Sequence, residues 1–154
     1  MQQRWVEDRA VGRALHIGSG PKPIAGAVNL DPNPDRWRWI DVSGDALRFP
    51  FPNGTFDSIV SSHVLPALDD LPRALREMAR VLRPGGIMAH VVPDRRYAPK
   101  RTDKRFPWDR QRYEFYGPDD LRPFLEVLTD VFQIVTLENF RAFNWSFKLE
   151  AVRL

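Results

Sequence analysis

The 154-residue sequence contains no cysteine, which excludes disulfides, thiolate nucleophiles and cysteine-bound zinc. It has no run near the ~18 apolar residues that a membrane span requires, and its first residues lack the apolar stretch of a signal peptide. Apolar residues make up 43% and charged residues 28% of the chain, which is ordinary for a folded protein. These features predict one cytoplasmic domain over residues 1–154, without membrane contact.

The sequence also lacks two common nucleotide-binding patterns. No Gly-Lys-Ser or Gly-Lys-Thr occurs, so there is no Walker-type phosphate loop. Pro21 and Pro23 follow Gly18-Ser19-Gly20, where a dinucleotide site has a third glycine that opens its helix. Asp31 comes 11 residues after Gly20, whereas a dinucleotide site has about 20. A ligand that carries a ribose but needs no phosphate cradle, such as adenosine joined to an amino acid, fits this pattern.

Short apolar runs alternate with turns along the chain. Those that predict strands lie at 13–17, 27–30, 37–42, 56–62, 87–92, 132–137 and 145–151, and those that predict helices lie at 71–82 and 117–129. In the first helix an apolar stripe recurs at helical spacing, at Leu71, Leu75, Met78 and Leu82. This order predicts an α/β fold with a mostly parallel sheet and a C-terminal hairpin whose last strand has one solvated face.

Two features at the ends of predicted strands could bind a ligand. The Gly18-Ser19-Gly20 turn can bring backbone N–H groups close to a ligand, because glycine lacks a Cβ atom. Asp31 ends the next strand, at the sheet edge where a carboxylate can bind both hydroxyls of a ribose. Plain turn chemistry is the alternative for both features.

Six stretches, in order, resemble the motifs of class I S-adenosylmethionine-dependent methyltransferases, in particular a compact branch. They lie at 15–23, 26–31, 44–46, 49–57, 61–65 and 77–86. The resemblance covers residues 13–93. It implies a trimmed Rossmann-like sheet, methyltransferase activity, and S-adenosylmethionine as the cofactor.

The resemblance also implies which residues bind the cofactor: His16, Gly18, Ser19, Gly20, Asp31, Asp45, Ala46, Leu47, Ser61 and Ser62. The glycine turn would contact the methionine part, Asp31 the ribose, and Asp45 the adenine amino group, with a turn or cap role as the alternative for Asp45. Ala46 and Leu47 would lie beside the adenine ring. Ser61 and Ser62 would close the cleft after the fourth strand. His16 stands where relatives often have an acid, and either donates to the cofactor's carboxylate or is buried in the first strand.

Methyl transfer depends mainly on orientation, although a hydroxyl acceptor also needs a base within reach. His63, after the fourth strand, and Asp94, after the fifth, are the candidate catalytic residues, with capping or packing as the alternative for His63. His90 lies inside a strand and is interpreted as structural. Three scattered histidines without paired carboxylates predict no metal site.

Three departures from the family pattern concern the shape of the molecule and its site. Leu65-Pro66-Ala67 stands where many relatives have Leu-Glu-His, which removes a polar pair near the active site. The link from Gly20 to Asp31 is too short for a full crossover helix. The first dozen residues supply only one short helix, so most of the N-terminal lid is missing. A homodimer that covers the exposed apolar surface is therefore expected, with a compact monomer whose Trp-rich segment folds over the sheet as the alternative.

Residues 94–116 are expected to meet the acceptor. Positions 94–112 carry eight basic and three acidic side chains, and Tyr97, Trp108 and Tyr113 could supply flat walls. An anionic small molecule, a nucleic-acid strand, or no ligand beyond solvent would each suit this composition. The sequence thus favours methyl transfer to an oxygen or nitrogen of a small molecule, with anionic molecules and saccharides among the candidates. A catalytically silent module that works through a partner chain and a nucleic-acid methyltransferase are the alternatives.

Overall fold

A computed structural model describes residues 1–33, 35, 37–98, 112–140 and 145–154 of the chain. Within these residues the strands are Ala14–Ile17 (β1), Val28–Asp31 (β2), Val42–Ser43 (β3), Phe56–Ser62 (β4), Leu82–Pro93 (β5), Phe132–Asn139 (β6) and Ser146–Arg153 (β7). The helices are Gln2–Glu7 (α1), Leu71–Val81 (α2) and Pro118–Glu126 (α3), with a 3-10 turn at Leu65–Ala67. None of the helices in these ranges has the length and apolar character needed to traverse a bilayer.

The strands form one sheet in the order β3-β2-β1-β4-β5-β7-β6. Neighbouring strands from β3 to β5 in this order pair in parallel, and β7 pairs antiparallel with both β5 and β6. The predicted α/β fold, mostly parallel with a C-terminal antiparallel hairpin, is confirmed. Because parallel strands end at the same edge, the turns that follow β1 to β5 line one side of the sheet.

One face of the sheet carries the larger apolar core, under α2 and α3. The Asp70 side chain caps α2 by accepting a hydrogen bond from the Arg73 N–H (3.1 Å). The predicted apolar stripe is fully buried, at Leu71, Leu75 and Met78 of α2 and at Leu82, the first residue of β5. Leu121 and Leu125 of α3 pack into the same core.

The opposite face has a thinner cover. α1 is the short N-terminal helix that the sequence predicts, and its Val6 is completely buried. Val6 belongs to a second, smaller core together with Ile24, Val60, Ala89, Val91 and Phe140. The chain thus covers part of this face itself, and a homodimer across it stays a prediction.

The link between β1 and β2 contains no helix, as its length predicts. Its course depends on Asn29 in β2, whose side chain is buried. The Asn29 Oδ1 accepts a hydrogen bond from the Ile24 N–H (2.9 Å), and Nδ2 donates to the carbonyls of Ile24 and Ala27 (3.1 Å each). Nδ2 also donates to the Asp41 carboxylate (3.2 Å). The side-chain amide of Asn29 therefore holds in place a link that contains no crossover helix.

Two strand predictions were wrong in detail. β3 is Val42–Ser43 and excludes Trp37 to Asp41, because the Trp39 indole hydrogen-bonds to Gly20 outside the sheet. β7 has no fully solvated face, because the polar side chains on that face are paired and partly covered. Lys148 pairs with Glu138 and lies over the Phe140 ring, and Glu150 pairs with Arg9. Ser146 is fully buried, and the side chains of Lys148 and Glu150 are only 22% and 19% exposed.

Other element boundaries also differ from the prediction, by one to five residues. α3 ends at Glu126 rather than near 129, and β6 extends to Asn139. β5 begins at Leu82, directly after α2, instead of at 87. The predicted bounds of β4 are confirmed.

Candidate cofactor site and active site

The glycine turn after β1 is held against the end of β2. The Leu30 carbonyl accepts hydrogen bonds from the N–H groups of Gly18 (2.8 Å) and Ser19 (3.3 Å). Gly18 has a φ of 61°, and a Cβ atom there would overlap the Cγ2 atom of Val64. Glycine is therefore required at this position both for its backbone conformation and for the close approach of Val64.

Asp31 lies directly beside this turn. Its Oδ2 accepts a hydrogen bond from the Gly20 N–H (3.2 Å), and its Oδ1 accepts one from the Asn33 N–H (3.0 Å). The structure thus brings together the two features that the sequence singled out, although they lie 11 residues apart. The role of Asp31 in ribose binding stays a prediction.

Ser19 supplies a test of whether these residues suit the expected cofactor. It is 4% exposed, and its Oγ is buried without a hydrogen-bond partner among the described residues. A buried hydroxyl without a partner costs about 1–3 kcal/mol, and the carboxylate or amino group of a bound amino acid would satisfy it. The turn therefore fits S-adenosylmethionine, and the roles of Ser19 and the glycines at its methionine part and of Asp31 at its ribose stay predictions.

The turn after β3 comes next along the same edge, since the Gly44 N–H donates to the Asp31 carbonyl (3.4 Å). Asp45 accepts a hydrogen bond from the Leu47 N–H through Oδ1 (2.9 Å). This is the turn chemistry that the sequence allowed as the alternative, and it leaves Oδ2 for a ligand. Ala46 is buried and Leu47 half-buried, so an apolar surface adjoins the carboxylate, and the adenine roles of these residues stay predictions.

His16 of β1 is buried and bonded to Asn29 through Nδ1 (3.0 Å). The three acceptors around Asn29 Nδ2 orient that amide, so Asn29 Oδ1 is an acceptor and His16 Nδ1 must carry the proton. Burial lowers the pKa of His16 below its ordinary value, which favours the neutral ring. The remaining nitrogen, Nε2, can then accept a hydrogen bond, and donation to a carboxylate would require a second proton.

Ser61 and Ser62 end β4. The Ser61 Oγ shares a hydrogen bond with Nδ1 of His90 (2.7 Å), and both side chains are fully buried. Burial lowers the pKa of His90 to about 3, so the ring is neutral. This agrees with the interpretation of His90 as structural and turns the Ser61 hydroxyl towards the core. Ser62 is half-buried, and the predicted role of both serines in closing the cofactor cleft is untested.

His63 follows β4 in a left-handed conformation, with a φ of 61°. It is the one non-glycine residue of the described ranges with a positive φ. Its N–H donates to the Val91 carbonyl (2.8 Å), Nε2 shares a hydrogen bond with the Ser146 Oγ (3.0 Å), and its ring lies 5.1 Å from that of Trp145. Burial lowers the pKa of His63 to about 4. The neutral ring is thus oriented by two hairpin residues that sequence reasoning missed.

Asp94, the second catalytic candidate, is fully buried after β5. Arg96 surrounds it: its Nε and backbone N–H donate to Oδ1 (3.0 Å each), and its Nη2 donates to Oδ2 (2.5 Å). The Asp94 N–H donates to the Trp145 carbonyl (2.9 Å), which joins this pair to the neighbourhood of His63. In this arrangement Asp94 anchors Arg96, and its role as a base stays a prediction.

The predicted acceptor segment, residues 94–116, is described only at its two ends. The predictions for Lys100, Arg101, Lys104, Arg105, Phe106, Trp108 and Arg110 lie outside the described residues. Tyr113 is not a free wall, because its hydroxyl accepts a hydrogen bond from the Leu71 N–H (3.2 Å) and its ring stacks on Phe115. Phe115 is 2% exposed and packs in the core. In the described ranges no three His, Asp or Glu side chains are grouped to hold a metal ion.

Sequence reasoning gave Asn29 no role, although a polar residue in a buried four-residue strand is a usable signal. Trp145 and Ser146 offered no such signal, because strand alternation implied that Ser146 faced solvent. The contact of Ser146 with His63 crosses 83 positions of sequence.

Comparison with known proteins supplies the family. A family model described as "Methyltransferase domain" matches residues 8–90. The demethylmenaquinone methyltransferase of Mycolicibacterium gilvum is 53% identical over 45 residues, which is 29% of this chain and 20% of that protein. The 2-phytyl-1,4-naphtoquinone methyltransferase of Synechococcus elongatus is 33% identical over 92 residues, which is 60% of this chain and 36% of that protein.

A solved S-adenosylmethionine dependent methyltransferase from Mesorhizobium loti shares the fold, with a TM-score of 0.71 at 16% identity. The alignment covers 98% of this chain and 95% of that one. The chain spans well under half the length of the two curated relatives. The family match nevertheless covers more than half of the 154 residues, and the chain belongs to the class I S-adenosylmethionine-dependent methyltransferases.

Proposed function

We propose that this chain transfers the methyl group of S-adenosylmethionine to an oxygen or nitrogen of a small-molecule acceptor. The observation that carries the proposal is the joint between the glycine turn and β2. There the Gly20 N–H meets the Asp31 carboxylate (3.2 Å), and the partnerless Ser19 Oγ is buried beside them. A nucleoside and an amino acid would each find a polar group at this joint.

The proposed acceptor site lies next along the sheet edge, where β4 and β5 end. His63 stands there with Trp145 and Ser146, and Asp94 is linked to them through the Trp145 carbonyl. Arg96 pairs with Asp94 yet keeps 43% of its side chain exposed. This half-exposed guanidinium supports an anionic acceptor, such as a carboxylated or phosphorylated saccharide or biosynthetic intermediate.

The proposed mechanism relies on orientation. When bound, S-adenosylmethionine supplies an already activated methyl group, so the protein needs chiefly to hold the acceptor in line with it. His63 is neutral near pH 7 and, with a pKa of about 4, is a weak base. We propose that it orients the acceptor and takes its proton only as the forming bond makes that proton acidic.

A flat, quinone-like acceptor is the second candidate. Two of the relatives are named for methylating demethylmenaquinone and 2-phytyl-1,4-naphtoquinone. The Trp145 ring, 37% exposed and packed on His63, could stack on such a molecule. Carbon would then be the methyl acceptor in place of oxygen or nitrogen.

Calorimetric titration with S-adenosylmethionine, S-adenosylhomocysteine and NAD tests the cofactor half of the proposal. We expect binding of the first two and none of NAD. The Asp31→Ala variant should lose about 1.5–3 kcal/mol of cofactor binding free energy, since hydrogen bonds to a charged group are lost. Asp130→Ala, on an exposed carboxylate that pairs with Arg76, is the control and should bind as the unsubstituted chain does. Tight NAD binding, or an indifferent Asp31→Ala variant, would contradict the assignment.

Incubation with methyl-labelled cofactor and panels of anionic saccharides, quinones and RNA tests the acceptor half. Label on an anionic small molecule is the expected result. Label on the quinone panel would favour the second candidate. Transfer to RNA, with binding that falls steeply with salt, would indicate a nucleic-acid methyltransferase. Cofactor binding without transfer to any panel would favour a silent module that works through a partner.

A further inference from the structure

Trp39 lies against the glycine turn, in a part of the chain to which neither the family motifs nor the proposed function gives a role. Its indole Nε1–H donates to the Gly20 carbonyl (2.6 Å), while the Gly20 N–H donates to the Asp31 carboxylate (3.2 Å). One glycine therefore joins the indole to the carboxylate expected at the ribose. Gly20 itself has a φ of 48°, so its carbonyl direction is that of a left-handed residue.

A second tryptophan braces the first. The rings of Trp37 and Trp39 are stacked, 5.7 Å apart and inclined by 25°. Trp39 nevertheless remains 40% exposed. Its ring is thus fixed by a stack and a hydrogen bond, and a large part of its surface is not covered by the described residues.

Trp39 lies in a part of the molecule where the chain has no crossover helix. The link from Gly20 to β2 has no crossover helix, and the segment from Asp31 to Val42 has none in its described residues either. The exposed indole borders the nucleoside end of the site, where a purine or ribose would find a flat apolar surface. Aromatic side chains stack on such rings whatever the rest of the ligand carries.

We propose that Trp39, braced by Trp37, is a wall of the cofactor site that contacts the nucleoside part of S-adenosylmethionine. The inference rests on the cofactor named above and adds a binding residue to it. If Trp39 contacts the nucleoside and not the sulfonium, it contributes equally to the binding of S-adenosylmethionine and of the uncharged thioether S-adenosylhomocysteine.

The test measures binding of both ligands by calorimetry to Trp39→Phe and Trp39→Ala. Loss of a base–aromatic stack should weaken both ligands about tenfold in Trp39→Ala, and Trp39→Phe, which keeps a ring but not the N–H, should recover most of this loss. Trp5→Phe and Trp5→Ala are the controls, because Trp5 packs on Phe140 at the thinly covered face. Both should bind normally. A thermal melt of each variant establishes that it is folded.

Fluorescence gives a readout that a purely structural role would not move. Saturation with S-adenosylhomocysteine should quench the emission of the unsubstituted chain and of Trp5→Phe, and most of this quench should vanish in Trp39→Phe. Equal losses in Trp39→Phe and Trp39→Ala, an unchanged quench in Trp39→Phe, or a loss confined to S-adenosylmethionine would each overturn the inference. So would normal binding by a folded Trp39→Ala, which leaves the proposed function intact. If the unsubstituted chain binds neither ligand, the cofactor assignment fails as well.

Discussion

The loop-built side of the sheet, β1 to β3, and the helix-covered side, β4 to β7, are held together by different interactions. Asn29 fastens the loop-built side with hydrogen bonds to three surrounding backbone or carboxylate groups. On the other side α2 buries Leu75 and Met78 completely in the larger core. Directional bonds fix backbone groups in place over short distances, whereas apolar packing contributes most of the stability. The comparison suggests that stability and cofactor geometry can be altered separately.

The largest expected effect is on the helix-covered side. Leu75→Ala should lower the free energy of unfolding by about 3 kcal/mol, because it opens a cavity in the larger core. Cofactor affinity of the folded variant should be unchanged. Urea unfolding and calorimetry measure the two quantities, with Val135→Ala, an exposed position on β6, as the control. A matching loss of cofactor affinity would show that the two sides are not separable.

A smaller loss of stability is expected on the loop-built side, accompanied by a loss of binding. Asn29→Ala should lower the free energy of unfolding by about 2 kcal/mol, because it leaves buried backbone groups unpaired. It should also weaken S-adenosylmethionine binding, since the link that carries the glycine turn loses its fastening. Asn139→Ala, on the exposed end of β6, serves as the control. Stability loss with unchanged affinity would separate the Asn29 network from the site.

The smallest expected effect is on how steeply the free energy of unfolding changes with pH. The unfolded chain protonates His90 near its ordinary pKa of 6.5, whereas burial keeps the folded ring neutral down to about pH 3. Between these values the unfolded state binds the extra proton, so stability falls as the pH falls, by up to about 1.4 kcal/mol per pH unit. His90→Gln should remove the His90 share of this slope between pH 6 and 4.5, while His16 and His63, whose pKa values burial also lowers, keep theirs. Urea unfolding at each pH measures the slope.

The control for that measurement is Ser61→Ala. It removes the hydrogen bond to His90 (2.7 Å) but leaves the titrating ring in place. It should lower stability at every pH and keep the slope. An unchanged slope in His90→Gln would mean that the folded protein already protonates His90 in this range.

Much of the fold follows from local patterns. The bounds of β4 and the buried stripe of α2 were predictable because a short apolar run and helical spacing each act within a few residues. The joint between the glycine turn and Asp31 was predictable for another reason: neighbouring parallel strands end at one edge. The short β3 was not predictable, because the contact that removes Trp39 from the sheet spans 19 positions of sequence.

The sequence by itself determined the α/β order, the family, and a glycine turn followed by an acid at the end of the next strand. Only the tertiary structure decided what these groups do to one another. It set the proton on His16 Nδ1 through Asn29, joined Asp94 to the Trp145 carbonyl, and brought Ser146 to His63. Hydrogen bonds between distant residues depend on sheet register and on which groups burial leaves without water, and no local sequence pattern encodes either.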